Sequence, residues 1–310
     1  MDLFKIPQDD GKAFRRKVVQ HTLKQPYVDG TMDYCLLVPY AEQEGLSDEQ
    51  RIWLAYLYGL SYSCTTAIRM FDVTSDINTK QGINRLTSLW DQKESLYFSP
   101  DKRRLKSNNQ VLPAISDLKR TLQGRSLLQW VQESSQEGES FDSLYRAIQR
   151  EWKFFGPMGS YLFFDALYGL CPEYYVDPVN LDWVHCGKTV VEGMAHMLYQ
   201  DELVVLAAPL PYPLDRYNQM VNKLQKHTQA PKVHIESVLC AFRKYFKGTR
   251  YLGYYADRML EECTLTDQYM PTDVWELRRK ALPKSFRGED MGWKGIRKER
   301  LTRWLKEGRP

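Results

Sequence analysis

A mainly α-helical fold follows from three features of the sequence. Apolar residues recur at helical spacing in two clean stripes, one through Leu144, Ile148, Trp152 and Phe155, the other through Ile235, Val238, Leu239, Phe242 and Phe246. A helix start is written at Ser47-Asp-Glu-Gln50, where a serine hydroxyl and a glutamine side chain can satisfy each other's orphan N–H groups. Nowhere do strand-like runs alternate with helices at a fixed period, as a parallel α/β sheet requires.

The capping box opens a helix through Ile52, Trp53, Leu54, Tyr56, Leu57 and Leu60, too apolar around its circumference for a surface position. The pattern resumes from Ser61 to Phe71, with Thr65 to Arg69 in a second segment packed on the first. Further helices are expected from about Asn78 to Asp91, from Ala114 to Leu122, and from Leu127 through Val131. Between them, Ser99 to Asn109 is polar, basic and turn-rich, an internal loop that could touch nucleic acid. Ser134 to Ser140 has the composition of a linker. The Leu144 stripe belongs to a helix started by Ser140 or Asp142, and it delivers the chain into a glycine-bracketed turn. The next helix is expected from Ser160 to Leu170, ahead of Cys171-Pro172, and another from Gly187 to Tyr199. Asp201 to Ala208 extends that helix or turns into a strand, and Pro209, Pro211 and Pro213 then break regular structure. The Ile235 stripe ends at Gly248, an expected C-cap, and a last core helix runs from about Leu252 to Glu262.

At 310 residues the chain fits one large domain or two intimately packed ones. The boundaries read from composition are an N-terminal helical region over 1–133, a helical core over 140–277 and a basic arm over 278–310. Hydrophobic residues at 43% and aromatic residues at 13% exclude compositional disorder. No run approaches the roughly 18 apolar residues of a membrane span, and the N-terminus lacks a signal pattern, so a soluble intracellular protein is expected. Six scattered cysteines without a Cys-x-x-Cys pair argue against a zinc site, an iron–sulfur cluster and a disulfide framework alike. From Arg278 to Pro310 there are 12 Lys or Arg against 4 Asp or Glu, with Trp293 and Trp304 interleaved. Such a segment, Lys294 and Arg297 included, suits a phosphate-tracking arm, and a solvated basic helix has the same composition.

The most informative stretch is Phe154-Phe-Gly-Pro-Met-Gly-Ser-Tyr-Leu-Phe-Phe-Asp165. Gly156 and Gly159 at the corners of a turn would let backbone N–H groups meet a DNA phosphate beside a helix start, and a plain loop between two core helices reads the same way. Asp165 sits among apolar neighbours, where a carboxylate needs a partner or a purpose. Gly187-Lys188-Thr189 invites a phosphate-loop reading that fails, because Asp182 stands where the first glycine belongs. Lys188 remains a phosphate ligand, an amine nucleophile or a solvated lysine. Lys188, Glu192 and His196 share one helix face, either a proton-transfer and phosphate-binding strip beside Asp182 or an exposed salt-bridged face. Arg250, Tyr251, Tyr254, Tyr255, Asp257 and Arg258 combine stacking rings with guanidinium groups, fit to hold a flipped base and an anion, or to pair internally through Asp257. Glu236 either caps its helix or faces the same pocket.

At these residues the chain resembles the phage amino acid:DNA transferases, the α-glutamyl/putrescinyl-thymine pyrophosphorylase group, which is similar to helix-hairpin-helix DNA glycosylases. The likeness rests on Trp53 through Ala67, on Phe155 to Asp165, on Gly187-Lys-Thr-x-x-Glu-Gly193, on Glu236-x-x-Leu-Cys240 and on Arg250 to Arg258. The resemblance implies a helix-hairpin-helix DNA-glycosylase-like helical fold acting in the cytoplasm of an infected host cell. It implies two partners, double-stranded DNA carrying a modified thymine and a free amino acid, with no membrane, no organic cofactor and a divalent metal left open. The implied step displaces pyrophosphate from 5-(pyrophosphoryloxymethyl)uracil in DNA with the amine of the amino acid. In that picture Asp165 or Glu192 takes the ammonium proton, Lys188 and Arg250 hold phosphate, Arg258 holds the carboxylate and Tyr254 stacks on the extruded base. Two alternatives remain: a glycosylase or lyase with Lys188 as nucleophile and Asp165 as helper, and a helical DNA-binding module without catalysis.

Overall fold

The computed structural model describes residues 19–20, 22–24, 33–75, 80–91, 96, 110–136, 141–178, 190, 192–194, 214–246 and 262. Among them the regular structure is helical and no strand occurs, as the periodicity predicts. The chain divides into two units, Asp33–Val179 with Glu262–Thr272, and Met1–Met32 with Asn180–Glu261 and Asp273–Pro310.

The Asp33–Val179 unit begins with α1 (Asp33–Gln43), which buries Leu36, Leu37, Tyr40 and Ala41. The sequence reading placed its first helix at Ser47, so α1, which contains Pro39, was not expected. The capping box forms as written: α2 (Asp48–Ser61) starts with Ser47 N–H donating to Gln50 Oε1 at 3.0 Å and Gln50 N–H to Ser47 Oγ at 3.5 Å. Every residue from Ile52 to Ser61 is buried, so α2 is the central helix its composition demands. Tyr62, left-handed at φ 54°, ends it, and Ser63 caps α3 (Cys64–Val73) one residue later. Then follow α4 (Lys80–Asp91), α5 (Val111–Leu122), α6 (Leu127–Gln136), α7 (Phe141–Glu151), α8 (Pro157–Leu170) and a short 3-10 turn at Pro172–Tyr174. Helices α6 and α7, which flank the linker-like stretch, pack on each other within this one unit.

The first stripe is core throughout, with Leu144, Ile148, Trp152 and Phe155 all buried, although α7 stops at Glu151. Trp152 and Phe155 keep their inward register because Trp152 N–H donates to Ile148 O and Phe155 N–H to Trp152 O, each at 2.9 Å. Their rings meet Tyr56 of α2, with centroids 5.2 Å apart for Trp152 and 4.7 Å for Phe155. Tyr56 in turn donates to Ala114 O at 3.1 Å, so this buried hydroxyl is satisfied across to α5.

Gly159 is not the corner of a turn. The chain turns at residues 153–154, and α8 is already helical at Pro157. Gly159 lies buried in the first turn of α8 against Gly59 of α2, where a Cβ on Gly59 would stand 2.9 Å from Gly159 O and 2.9 Å from the Phe155 ring. Two glycines therefore let two apolar helices cross at backbone distance, which buries α8 nearly all round.

In the other unit the described residues include α9 (Leu214–Thr228) and α10 (Lys232–Phe246), packed together as a helical hairpin. Gln229 at φ 61° ends α9, its N–H donating to Gln225 O at 2.7 Å. Tyr217, Val221 and Leu224 of α9 and Ile235, Val238, Leu239 and Phe242 of α10 are buried, which confirms the second stripe as far as Phe242. The α9 helix was not expected from the sequence. Residues 190 and 192–194 are helical as predicted, while the proposed C-cap Gly248 lies outside the described residues.

Candidate functional site

The α10 helix concentrates chemistry on one face. Glu236, Leu239, Cys240 and Arg243 stand at i, i+3, i+4 and i+7, so their side chains share a stripe. The helix begins at Lys232, which puts Glu236 beyond the first turn and removes its reading as an N-cap. Onto this stripe comes the segment 192–194. A Cβ on Gly193 would fall on the carbonyl oxygen of Leu239 and 2.8 Å from its carbon, so only glycine permits this approach. The contact brings Glu192 against Arg243, whose Nε donates to Glu192 Oε2. The Glu192 side chain is 5% exposed and that of Arg243 is 25% exposed. Glu192 is thus no member of an exposed salt-bridged face: it is a buried carboxylate made tolerable by a guanidinium.

Two further groups on α10 have shifted protonation. Burial, and then the carboxylate of Glu236, push the Cys240 thiol up to about 11, against the opposing pull of Lys244 and Arg243. Cys240 is therefore a neutral thiol at physiological pH, no ready nucleophile. Burial holds the His234 imidazole down to about 3, so this ring stays uncharged as well. Among the described residues the charged side chains of the face include Lys232, Glu236 and Arg243 of α10, with Glu192 packed against them.

In the Asp33–Val179 unit, Asp165 is 1% exposed on α8 among Phe163, Phe164 and Ala166, the apolar setting read from the sequence, and it is engaged rather than free. Gly156 caps α8 in extended conformation and accepts Ser160 N–H at 3.0 Å and Ser160 Oγ at 3.1 Å. The pair Gly156 and Gly159 is thereby split in role, Gly156 at the helix start and Gly159 inside a helix crossing. Lys188, Asp182, Arg250, Tyr254, Asp257, Arg258, Lys294 and Arg297 lie outside the described residues.

Sequence reading missed two constellations. Arg243 carries no local signal beyond its register seven residues after Glu236. The other joins Glu262 to the start of α3: its Oε1 accepts from Ser63 Oγ, from Thr65 Oγ1 at 2.8 Å and from Thr65 N–H at 3.0 Å. Ser63, Thr65 and Glu262 are 1%, 1% and 7% exposed. A carboxylate at a helix N-terminus satisfies orphan donors and opposes the dipole, so this contact ties a distant segment to α3. Neither the Ser63 cap nor its acidic partner, 199 residues away, was read from the sequence.

Asp48, Cys171 and Glu173 place ligand atoms within 4.8 Å of one another. Burial, then Glu173 and Asp48, push the Cys171 thiol up to about 12, and Asp48 Oδ2 already accepts Tyr174 OH at 3.2 Å.

No protein-family model matches the chain, and no solved structure matches it. The fold and a sequence comparison together define a mainly helical chain similar to a phage amino-acid transferase. That relative is the serinyltransferase of Salmonella phage ViI, 23% identical over 294 residues, covering 82% of this chain and 69% of its own. Among the described residues no helix is long and apolar enough to cross a membrane.

Proposed function

We propose that this protein transfers an amino acid onto a pyrophosphorylated 5-hydroxymethyluracil in phage DNA within the infected cell. The observation that carries the reading is the likeness to a phage serinyltransferase along 82% of the chain. A phage that modifies its own DNA gives such a transferase a nucleobase as acceptor, and the basic segment from Arg278 onward supplies the phosphate affinity this needs.

The amine nitrogen attacks the 5-methylene carbon and forms the C–N bond. The C–O bond to pyrophosphate breaks, and the leaving group departs with the electron pair. The proton shed by the nitrogen passes to a carboxylate, and we assign this role to Asp165, 1% exposed among apolar neighbours. Glu192, whose oxygen is bound to a guanidinium, is better suited to orient a cation than to take a proton. Lys188 and Arg250 neutralise the leaving pyrophosphate, and Tyr254 stacks on the extruded base. The DNA glycosylase fold type remains part of this proposal, since base extrusion suits it.

The test is release of labelled pyrophosphate from DNA carrying the activated base, measured with and without a pool of amino acids. Release that depends on the amino acid supports the reading. Liberation of a free base with the strand otherwise unchanged replaces it with a glycosylase. Binding to DNA with neither product replaces it with a DNA-binding module.

A further inference from the structure

We infer that Arg243, held in place by Glu192, is the receptor for the carboxylate of the free amino acid. The assignment rests on the transferase reading and adds to it the residue that recognises the donor, a role that the family resemblance gave to Arg258.

The geometry is that of a fork gripped by its stem. Arg243 donates from Nε to the buried Glu192, and among the described residues this is the hydrogen bond its side chain makes. Binding through Nε fixes the plane of the guanidinium and keeps its Nη edge for another acceptor. That edge presents parallel N–H donors spaced to match a carboxylate or phosphate. The Arg243 side chain is 25% exposed against 5% for Glu192, so it meets solvent while its acidic anchor stays inside. Gly193 makes the arrangement rigid, because its backbone rests directly on Leu239 one turn before Arg243. A guanidinium fixed in this way loses little side-chain entropy when an anion arrives.

Both signs of charge stand near the guanidinium. Glu192 touches Arg243, Glu236 lies two turns before it on the same helix stripe, and Lys232 and Lys244 belong to the same helix. A diphosphate or a DNA strand is matched by cations alone. An α-amino acid carries both signs, and its carboxylate is the part a guanidinium fork receives.

The experiment uses the full-length protein without DNA. L-serine and glycine, their decarboxylated counterparts ethanolamine and methylamine, and inorganic pyrophosphate are titrated by calorimetry against wild type, Arg243→Met and Arg243→Lys. Wild type is expected to bind an amino acid at least about tenfold more tightly than its amine, and Arg243→Met to erase that preference without weakening the amine. Should Arg243→Met unfold by stranding Glu192, Arg243→Lys carries the test. It keeps a cation for Glu192 but lacks the fork, and it too is expected to lose about tenfold in amino acid affinity. Equal binding of acid and amine by wild type overturns the assignment, as do absence of amino acid binding, wild-type binding by Arg243→Lys, and selective loss of pyrophosphate. Failure of the transferase reading is a separate result: amino acid binding persists and DNA never gains mass.

Discussion

Replacing Gly193 with alanine tests how the α10 face is assembled. In an exposed helix this change stabilises by about 0.5–1 kcal/mol, because alanine restricts the unfolded chain. Here the new methyl falls on the Leu239 carbonyl, a backbone atom that cannot rotate away. Forcing atoms into packed space costs typically about 1–3 kcal/mol. The segment 192–194 relieves the clash only by retreating from α10, and retreat separates Glu192 from Arg243. Breaking a buried pair adds up to about 3–5 kcal/mol, less what the partly exposed guanidinium recovers from water. The net expectation is a destabilisation of about 2–5 kcal/mol, read as a lower urea midpoint at unchanged slope. In a Glu192→Gln background the penalty of Gly193→Ala should shrink, since the pair is already weakened. A raised midpoint for Gly193→Ala, the behaviour of an unconstrained helical glycine, would refute the close approach and with it the positioning of Glu192.

Three other perturbations give distinct readings. His234 has a folded value of about 3 against an ordinary 6.5, so the native state binds fewer protons between the two. Its contribution is complete above 6.5 and is lost as the pH falls toward 3, by about 1.4 kcal/mol per unit; urea titrations from pH 7.5 to 5 should show that slope, and His234→Gln should flatten it. Glu262→Ala leaves the buried Ser63 and Thr65 hydroxyls without their acceptor and should lower stability by about 1–3 kcal/mol, with amide exchange in the first turn of α3 as the local readout. Asp165→Asn should reduce amine-dependent pyrophosphate release by about 100-fold or more while DNA binding, followed by fluorescence anisotropy, stays at the wild-type level.

Local features were legible in the sequence, and non-local ones were not. The Ser47 and Gln50 box formed as read because every atom it needs lies within one helical turn. The first stripe, and the second as far as Phe242, turned inward because periodicity decides which side of a helix meets the core. The α1 helix was not read from the sequence; it tolerates Pro39 while burying Leu36, Leu37 and Ala41. The α9 helix was masked by the prolines that run up to its first residue, Leu214. Gly159 was misread for a different reason. A glycine near a helix start serves a turn or a tight crossing equally well, and only its partner Gly59, a hundred residues earlier, tells the two apart. The same holds for the charged groups. The apolar setting of Asp165 was legible from its neighbours and the helical setting of Glu192 from its register, yet Arg243 acquires meaning only when Gly193 lets two segments touch.

The most direct measurement is nucleoside mass spectrometry of DNA bearing 5-(pyrophosphoryloxymethyl)uracil after incubation with the protein and the twenty amino acids in ATP-free buffer. A new nucleoside whose mass equals 5-methylene-deoxyuridine joined through nitrogen to one amino acid, formed together with free pyrophosphate, is the predicted result. An unchanged nucleoside profile, or an abasic site with the free base in solution, contradicts the account.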